Sequence, residues 1–350
     1  MEKGFLHIVP TAFDLLALFI CIGALVCRLY VLPPIGRVSD SSVSEILRTR
    51  LWHLIVAAVA MLTISSVAEL FMRVMEMSGR PLSEIFFVMP VVILRTHYGN
   101  LWLIRPAALV ALWIGWWVGR KRLDSRAIPV FMLGAGVVIA ITRSASGHAA
   151  DMGDLALPEL MDCLHLLSGS IWGGGLIVLS TIALPTAIRQ PDRGGAVVTD
   201  MARRFSKLAG ITLGIVAITA TYNAWLEVRS LHALWETPYG QLVIVKVMLL
   251  LTLVVLGASN RYISVLLLQH LSGRHLSGRK SLHINPFQHK PELVHVARWF
   301  MHKVWAESVI IILVLICTAL LLHKTPARHL SHIGHNMGKS GMEEKRSHIE

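Results

Sequence analysis

Apolar residues in this chain form long continuous runs that are separated by short polar segments. Eight runs cover roughly residues 8–32, 51–74, 99–119, 127–147, 158–186, 205–228, 240–268 and 304–323. A helix that crosses the hydrocarbon core of a bilayer needs about 20 mostly apolar residues. Its backbone amides must also bond within the segment, because lipid offers them no partner. The pattern therefore predicts an all-α polytopic membrane protein with eight transmembrane helices.

Two parts of the pattern need a separate interpretation. The apolar piece 82–94 is too short to span the bilayer, so we expect it at the interface or as a re-entrant segment. The first run lacks the small-residue cleavage site of a signal peptide. We therefore expect it to be retained as the first helix.

Composition supports a membrane protein and excludes several other classes. Hydrophobic residues make up 54% of the 350 positions and charged residues only 15%, whereas soluble proteins carry about 25% charged residues. The mean hydropathy is +0.61. A soluble enzyme, a disordered protein and a nucleic-acid-binding domain are excluded. The four cysteines form no C-x-x-C pair, so they indicate neither a disulfide framework nor a thiol metal clip.

The distribution of basic residues predicts the orientation. The loops after the odd-numbered runs and the adjoining run ends carry twenty Lys and Arg, while those after the even-numbered runs carry five. Lys and Arg accumulate in cytoplasmic loops. The odd-numbered loops are therefore predicted in the cytoplasm and both termini outside.

A short motif occurs twice, 141 residues apart. Residues 96–105 read T-H-Y-G-N-L-W-L-I-R, and residues 237–246 read T-P-Y-G-Q-L-V-I-V-K. The copies open the third and seventh runs, so they face the same side of the membrane. Two four-helix halves in parallel orientation are one interpretation, and a shared helix-start signal is the other. We expect residues 1–323 to form one eight-helix domain and residues 324–350 a flexible tail.

The most informative chemical run surrounds the fourth loop. It places His148 and His165 near the outer ends of the helices that flank this loop. Two imidazoles at similar depth form a plausible site for a soft metal ion, although two interfacial histidines bonded to backbone are an equal alternative. Trp172 follows His165 at i+7 on the same helical face. Asp162 and Cys163 are expected to point elsewhere. Gly169 and Gly173 would let a neighbouring helix approach closely.

Further candidate ligands lie at the same outer level. His97 opens the third run, and Met72 and Met75 share one face at the outer end of the second. Thioethers favour Cu(I) over harder ions, but Met is also a common packing residue.

Polar residues inside the runs are candidate pathway residues or charge partners, because charges in a membrane are costly and tend to be paired or functional. Arg105 and Lys246 occupy equivalent repeat positions, where reaching toward the surface is the alternative. Glu69, Glu307 and Asn223 complete this set.

Two extramembrane regions are rich in histidine. The loop 270–303 is predicted to be cytoplasmic, where its basic residues would contact anionic lipid. The tail carries His329, His332, His335 and Met337 at spacings that can wrap one ion. Capture of metal by this tail and a solvated tail without metal are equally compatible with the sequence.

Several motifs together resemble the CopD family of copper-resistance membrane proteins. They are G-H-A-A at 147–150, L-H-L with the following W-x-G-G at 164–175, T-x-Y-G-x-L-x3-K at 237–246 and A-S-N-R at 258–261. The resemblance covers about residues 10–323. It implies a protein that takes copper across the bacterial inner membrane, with copper as the substrate and a periplasmic CopC-like protein as a possible partner. His148 and His165 match the histidine positions of the family.

Three functions are weighed on this basis. The first is copper import without ATP hydrolysis, since the chain has neither G-x4-G-K-[ST] nor D-K-T-G. The second is a b-type haem electron carrier, which would need two facing histidines at similar depth. The third is a copper sensor or docking subunit that transports nothing.

Overall fold

The computed structural model describes residues 2–32, 41–146, 156–189, 194–228, 231–271 and 290–323. Within these ranges, eight helices are long and apolar enough to cross a membrane, and no strand is present. The predicted all-α polytopic fold is therefore confirmed.

The eight helices are numbered in chain order, and three of them contain π-helical segments. Helices 1 to 4 are Glu2–Val26 continued by the π-helical Cys27–Val31, then Ser41–Ser78, His97–Gly119 and Ala127–Ala145. Helix 5 joins Leu157–Gly169, Gly175–Val178 and Leu184–Ile188 through the π-helical Ser170–Gly174 and Leu179–Ala183. Helices 6 to 8 are Gly194–Val228, then Pro238–Ser259 continued by the π-helical Asn260–Ser264 and by Val265–Leu271, then Lys290–Leu322.

Two shorter helices precede the repeated motif. Ile85–Arg95 lies before helix 3, and Leu231–Glu236 lies before helix 7. The first corresponds to the apolar piece that was predicted to be too short to span, and the structure confirms its length.

Helices 1 and 5 form the centre of the bundle. Helix 1 packs against helices 2, 4, 5 and 8. In the most apolar stretch of helix 5, 72% of the residues are buried, compared with 6% in helix 7. Helix 7 therefore presents most of its surface to lipid, while helix 5 holds the two halves of the chain together through helix 1.

Glycines allow helices 1 and 5 to approach closely. Gly169 and Gly173 both face Phe19 of helix 1, which an added Cβ would meet at 3.2 Å. A Cβ on Gly174 would collide with the carbonyl oxygen of Phe19, and one on Gly23 would collide with the backbone of Gly174. Gly169 and Gly173 thus make room for the Phe19 side chain, while the backbones of the two helices touch at Gly23 and Gly174.

We expect Gly174→Ala to destabilise the protein by about 1–3 kcal/mol, the usual cost of overpacking a rigid contact. Gly134→Ala in helix 4 is the matched control, because a Cβ there meets nothing within 4 Å. That change should be neutral or stabilise by up to about 1 kcal/mol, since alanine favours helix more than glycine does. Thermal unfolding of the two purified variants in detergent compares them. Equal melting temperatures would contradict the packing described above.

Candidate functional site

A cavity of about 430 Å³ lies at the end of the bundle where helix 1 begins and helix 8 ends. Thr11 and His323 mark this end, because the Thr11 hydroxyl and His323 Nε2 lie 3.0 Å apart. All eight helices contribute to the lining. Its polar and sulfur-bearing residues include Thr11, Glu69, Met72, Arg73, Glu76, Arg105, Thr142, Arg143, Ser146, Asp162, His165, Asn223, Tyr239, Lys246, Thr318 and His323.

One side of the cavity carries a charge network that links helices 1 to 4. The Arg105 guanidinium donates to Asp14 Oδ1 at 2.5 Å, and Arg143 donates to Asp14 Oδ2. Glu69 lies 3.2 Å from Arg143 and 3.8 Å from Arg105. Two carboxylates therefore balance two guanidinium groups.

Asp14 is the centre of this network. Its side chain is fully buried, and it also accepts hydrogen bonds from Ser65 at 3.1 Å and Ser66 at 3.4 Å. Arg105 is only 6% exposed. It therefore does not reach toward the surface, which was one of its two interpretations, but pairs inward. Sequence reasoning missed Asp14 and counted Arg143 as a loop residue.

The opposite side of the cavity carries a second acid and base. Asp162 of helix 5 accepts a hydrogen bond from Ser144 at 2.9 Å. The charge of Lys246 in helix 7 acts on Asp162. Asp162 and His165 both line the cavity. The expectation that Asp162 points away from His165 was wrong, because residues three apart share a helical face.

His165 is held in one orientation by helix 6. Its Nδ1 lies 3.0 Å from the Thr219 hydroxyl, and that hydroxyl donates its hydrogen to the Ile215 carbonyl at 2.7 Å. A threonine hydroxyl has one hydrogen to donate. Thr219 must therefore accept from His165 Nδ1–H, which leaves the lone pair of Nε2 for a ligand.

The other predicted residues divide between the cavity and the core. Met72 and Asn223 line the cavity. Met75 packs instead against the small apolar cluster around Leu70 and Val74. Trp172, expected on the same helical face as His165, is 6% exposed and belongs to the main core. Trp172 lies within the π-helical segment Ser170–Gly174, which alters the helical spacing from His165 on which that expectation relied.

Several predicted ligands cannot be placed. His148 and the tail residues His329, His332, His335 and Met337 lie outside the described residues, and so does most of the loop 270–303. His97 is the first residue of helix 3, but its side chain is not among those described. His323, the last residue of the predicted eight-helix domain, contributes to the cavity.

The described residues give the cavity no complete set of protein ligands for a metal ion. Within the ranges that the structure describes, no group of three His, Cys, Asp or Glu side chains could hold a metal ion. Imidazole, thioether and carboxylate groups are instead distributed over the wall at His165, Met72 and Asp162.

The repeated motif forms the same helix start in both halves. Thr96 caps helix 3 and accepts from the Gly99 amide at 3.0 Å, while Thr237 caps helix 7 and accepts from the Gly240 amide at 2.9 Å. Each side-chain oxygen satisfies an otherwise unpaired amide of the first turn. The helix-start interpretation of the repeat is therefore correct, and it is compatible with a duplication.

A second element supports the duplication. Helix 1 carries P-x3-D at 10–14, and helix 5 carries P-x3-D at 158–162. In each half, the aspartate of this element interacts with the basic residue that ends the repeated T-x-Y-G motif. Asp14 pairs with Arg105, and Asp162 is within the electrostatic influence of Lys246. This was the sequence signal that could have identified Asp14.

The fold and the cavity together define an α-helical, multi-pass membrane protein that encloses a polar chamber among all of its helices. Two family models match the chain: "Copper resistance protein D-like, N-terminal domain" over residues 4–156, and "Copper resistance protein D" over residues 199–321. The chain belongs to the CopD family of copper resistance proteins.

Two curated relatives carry copper-related names. Copper transport protein CutJ of Bacillus subtilis (strain 168) is 33% identical over 169 residues, which cover 47% of this chain and 30% of that protein. Copper resistance protein D of Pseudomonas syringae pv. tomato is 26% identical over 204 residues, 57% of this chain and 64% of that protein. Both alignments thus span less than two thirds of the relatives' length. No solved structure matches the chain significantly.

Proposed function

We propose that this protein carries copper across the bacterial inner membrane from the periplasm to the cytoplasm. The observation that carries the proposal is the half-buried His165, which lines a chamber shared by all eight helices and keeps one imidazole nitrogen for a ligand. Met72 adds a thioether to the same wall. Imidazole and thioether donors favour copper over hard cations such as Mg²⁺. The protein would act as a transporter and not as an enzyme, with the copper ion as cargo.

The charge balance of the chamber fits a cation as cargo. Asp14 and Glu69 offset Arg105 and Arg143 in direct ion pairs, and on the other side of the chamber the charge of Lys246 acts on Asp162, so each basic group has an acidic group near it. An arriving ion therefore meets neutral donors without an excess of positive charge. An unpaired arginine or lysine at this depth would repel it, because Coulomb forces are strong where water is scarce.

The proposed direction rests on the distribution of basic residues. The chamber lies at the end opposite Arg28 and Arg48, which bind the Leu123 carbonyl in the third loop. Basic loops stay in the cytoplasm, so the chamber would open to the periplasm and both termini would lie there. A periplasmic CopC-like protein could then deliver copper, and the histidine-rich tail could gather it. Residues 1–323 would form the transport domain, as two four-helix halves.

Uptake into membrane vesicles tests the proposal. Right-side-out vesicles containing the protein should accumulate copper at least about tenfold faster than vesicles without it, whereas inverted vesicles should not. Ag⁺ should compete, since it shares the preference for soft ligands, and Mg²⁺ should not. Equal copper accumulation with and without the protein would refute transport, and faster uptake by inverted vesicles would reverse the direction.

A further inference from the structure

A second buried polar cluster lies deeper in the bundle, away from the chamber. It consists of Ser180 in helix 5, Asn260 and Ser264 in helix 7, and Glu307 and Ser308 in helix 8, each at most 5% exposed. Asn260 follows Lys246 by 14 positions, or about 21 Å along helix 7. Glu307 precedes the chamber-lining Thr318 by 11 positions, or about 16 Å along helix 8. This cluster is therefore separate from the proposed copper site.

The hydrogen bonds of the cluster fix the Asn260 amide on both sides. Its Nδ2 donates to Glu307 Oε1 at 2.5 Å, and its Oδ1 accepts from the Ser264 hydroxyl at 3.1 Å. The Ser180 and Ser308 hydroxyls lie 2.9 Å apart beside it. Asn260 and Ser259 belong to the A-S-N-R motif, so this motif positions a buried carboxyl group.

The nearest base is turned away from that carboxyl group. Lys303 lies one helical turn before Glu307, but its ammonium donates to Ser259 at 2.9 Å and lies 3.6 Å from the centre of the Trp299 ring. Among the described residues, no ion pair joins Lys303 to Glu307. A buried carboxylate without an ion partner is strongly disfavoured in a membrane, whereas a protonated carboxyl group fits the neutral surroundings.

Two π-helical segments pack against helix 8 at this level. They are Leu179–Ala183 in helix 5 and Asn260–Ser264 in helix 7, and they contain Ser180 and Asn260 respectively. Single π-helical turns inside α-helices occur frequently at functional sites. Two helices thus depart from regular α-geometry where they meet Glu307.

We propose that Glu307 is a proton-binding site whose protonation changes during transport. With the proton bound, the carboxyl group accepts a hydrogen bond from the Asn260 amide, and the Lys303 ammonium donates to the Ser259 hydroxyl, which is the arrangement in the structure. When the proton leaves, Lys303 swings to the carboxylate across their i, i+4 spacing. One O–H bond breaks, the proton passes to water, and no electron moves. The link to transport rests on the proposed function, but the proton site itself does not.

The charged groups around Glu307 come from one helix. Lys303 acts on it from helix 8. Helices 5 and 7 present the neutral groups of Ser180, Asn260 and Ser264 within the described residues. A movement of the Lys303 ammonium from Ser259 to Glu307 is therefore sufficient to balance the negative charge of the carboxylate.

Infrared difference spectroscopy of the purified protein over its stable pH range tests the site. Wild type should show the C=O stretch of a protonated carboxyl group that changes with pH and is absent from Glu307→Gln. Glu45→Gln, an exposed carboxyl near the opposite end of the bundle from the chamber, is the control and should keep the band. Glu307→Asp should keep the band at a shifted frequency, which identifies it if the glutamine variant does not fold. A band that persists unchanged in Glu307→Gln or Glu307→Asp, or its absence from wild type, overturns the proposal.

Copper uptake by the same variants distinguishes this proposal from the proposed function. Glu307→Gln should reduce uptake and remove its dependence on pH, while Glu45→Gln should transport as wild type does. Failure of wild type to transport copper, with the Glu307 band present, would refute the proposed function and leave the proton site standing. Uptake by Glu307→Gln with an unchanged pH profile would refute the link between the two.

Discussion

His165→Ala is expected to lower copper uptake into membrane vesicles by at least about tenfold, the lower end of losses seen when metal-site residues are disturbed. His165 supplies the imidazole of the chamber, and its Nε2 lone pair is free because Nδ1–H is donated to Thr219. Alanine removes the donor without adding charge. His53→Ala is the matched control, because His53 is exposed and lies on helix 2 toward the opposite end from the chamber. It should transport as wild type does.

The Thr219 contact allows a sharper form of this test. Thr219→Val keeps the shape but removes the hydroxyl that fixes the imidazole tautomer, so uptake should fall less than in His165→Ala. Thr219→Ser should restore it, since serine offers the same acceptor. Wild-type uptake by His165→Ala would show that copper does not use this histidine, even if the protein transports copper by another route.

The transmembrane helices could be predicted because lipid requires long apolar runs, and this requirement can be read position by position. The residues at which these helices begin were less predictable. Helix 8 begins at Lys290, whereas its apolar run begins only at about residue 304. Helix 6 begins at Gly194, before its apolar run at about residue 205. Both extensions contain charged residues, because a helix that continues beyond the lipid no longer needs to be apolar.

The site was only partly predictable for a different reason. His165 and Met72, predicted as ligands, and Asn223, Glu69, Arg105 and Lys246, predicted as pathway residues or charge partners, all line the cavity, because each is polar or sulfur-bearing near one end of a helix. Their roles there stay predictions. Asp14 was missed because one carboxylate hardly changes the hydropathy of a long apolar run. Met75 and Trp172 pack in apolar clusters instead. How each helix rotates about its axis is set by its neighbours, and the sequence of one helix does not contain that information.

Asp14→Asn is expected to have the largest effect on stability, with a loss of about 3–5 kcal/mol, the usual cost of removing one partner from a buried ion network. The fully buried carboxylate holds both Arg105 and Arg143. Asparagine leaves these two positive charges with Glu69 alone. Helices 1, 2, 3 and 4 meet at this network, so its loss should loosen the whole first half of the bundle.

Glu84→Gln is the control for Asp14→Asn, because its ion pair with Arg80 is exposed. Exposed ion pairs contribute about 0.2–1 kcal/mol. The double variant Asp14→Asn/Arg143→Gln removes one surplus charge, so it should be more stable than Asp14→Asn alone. Denaturant unfolding in detergent measures all three variants. If Asp14→Asn lost no more stability than Glu84→Gln, the network would not be what joins these four helices, and the apolar contacts of helix 1 alone would have to account for their arrangement.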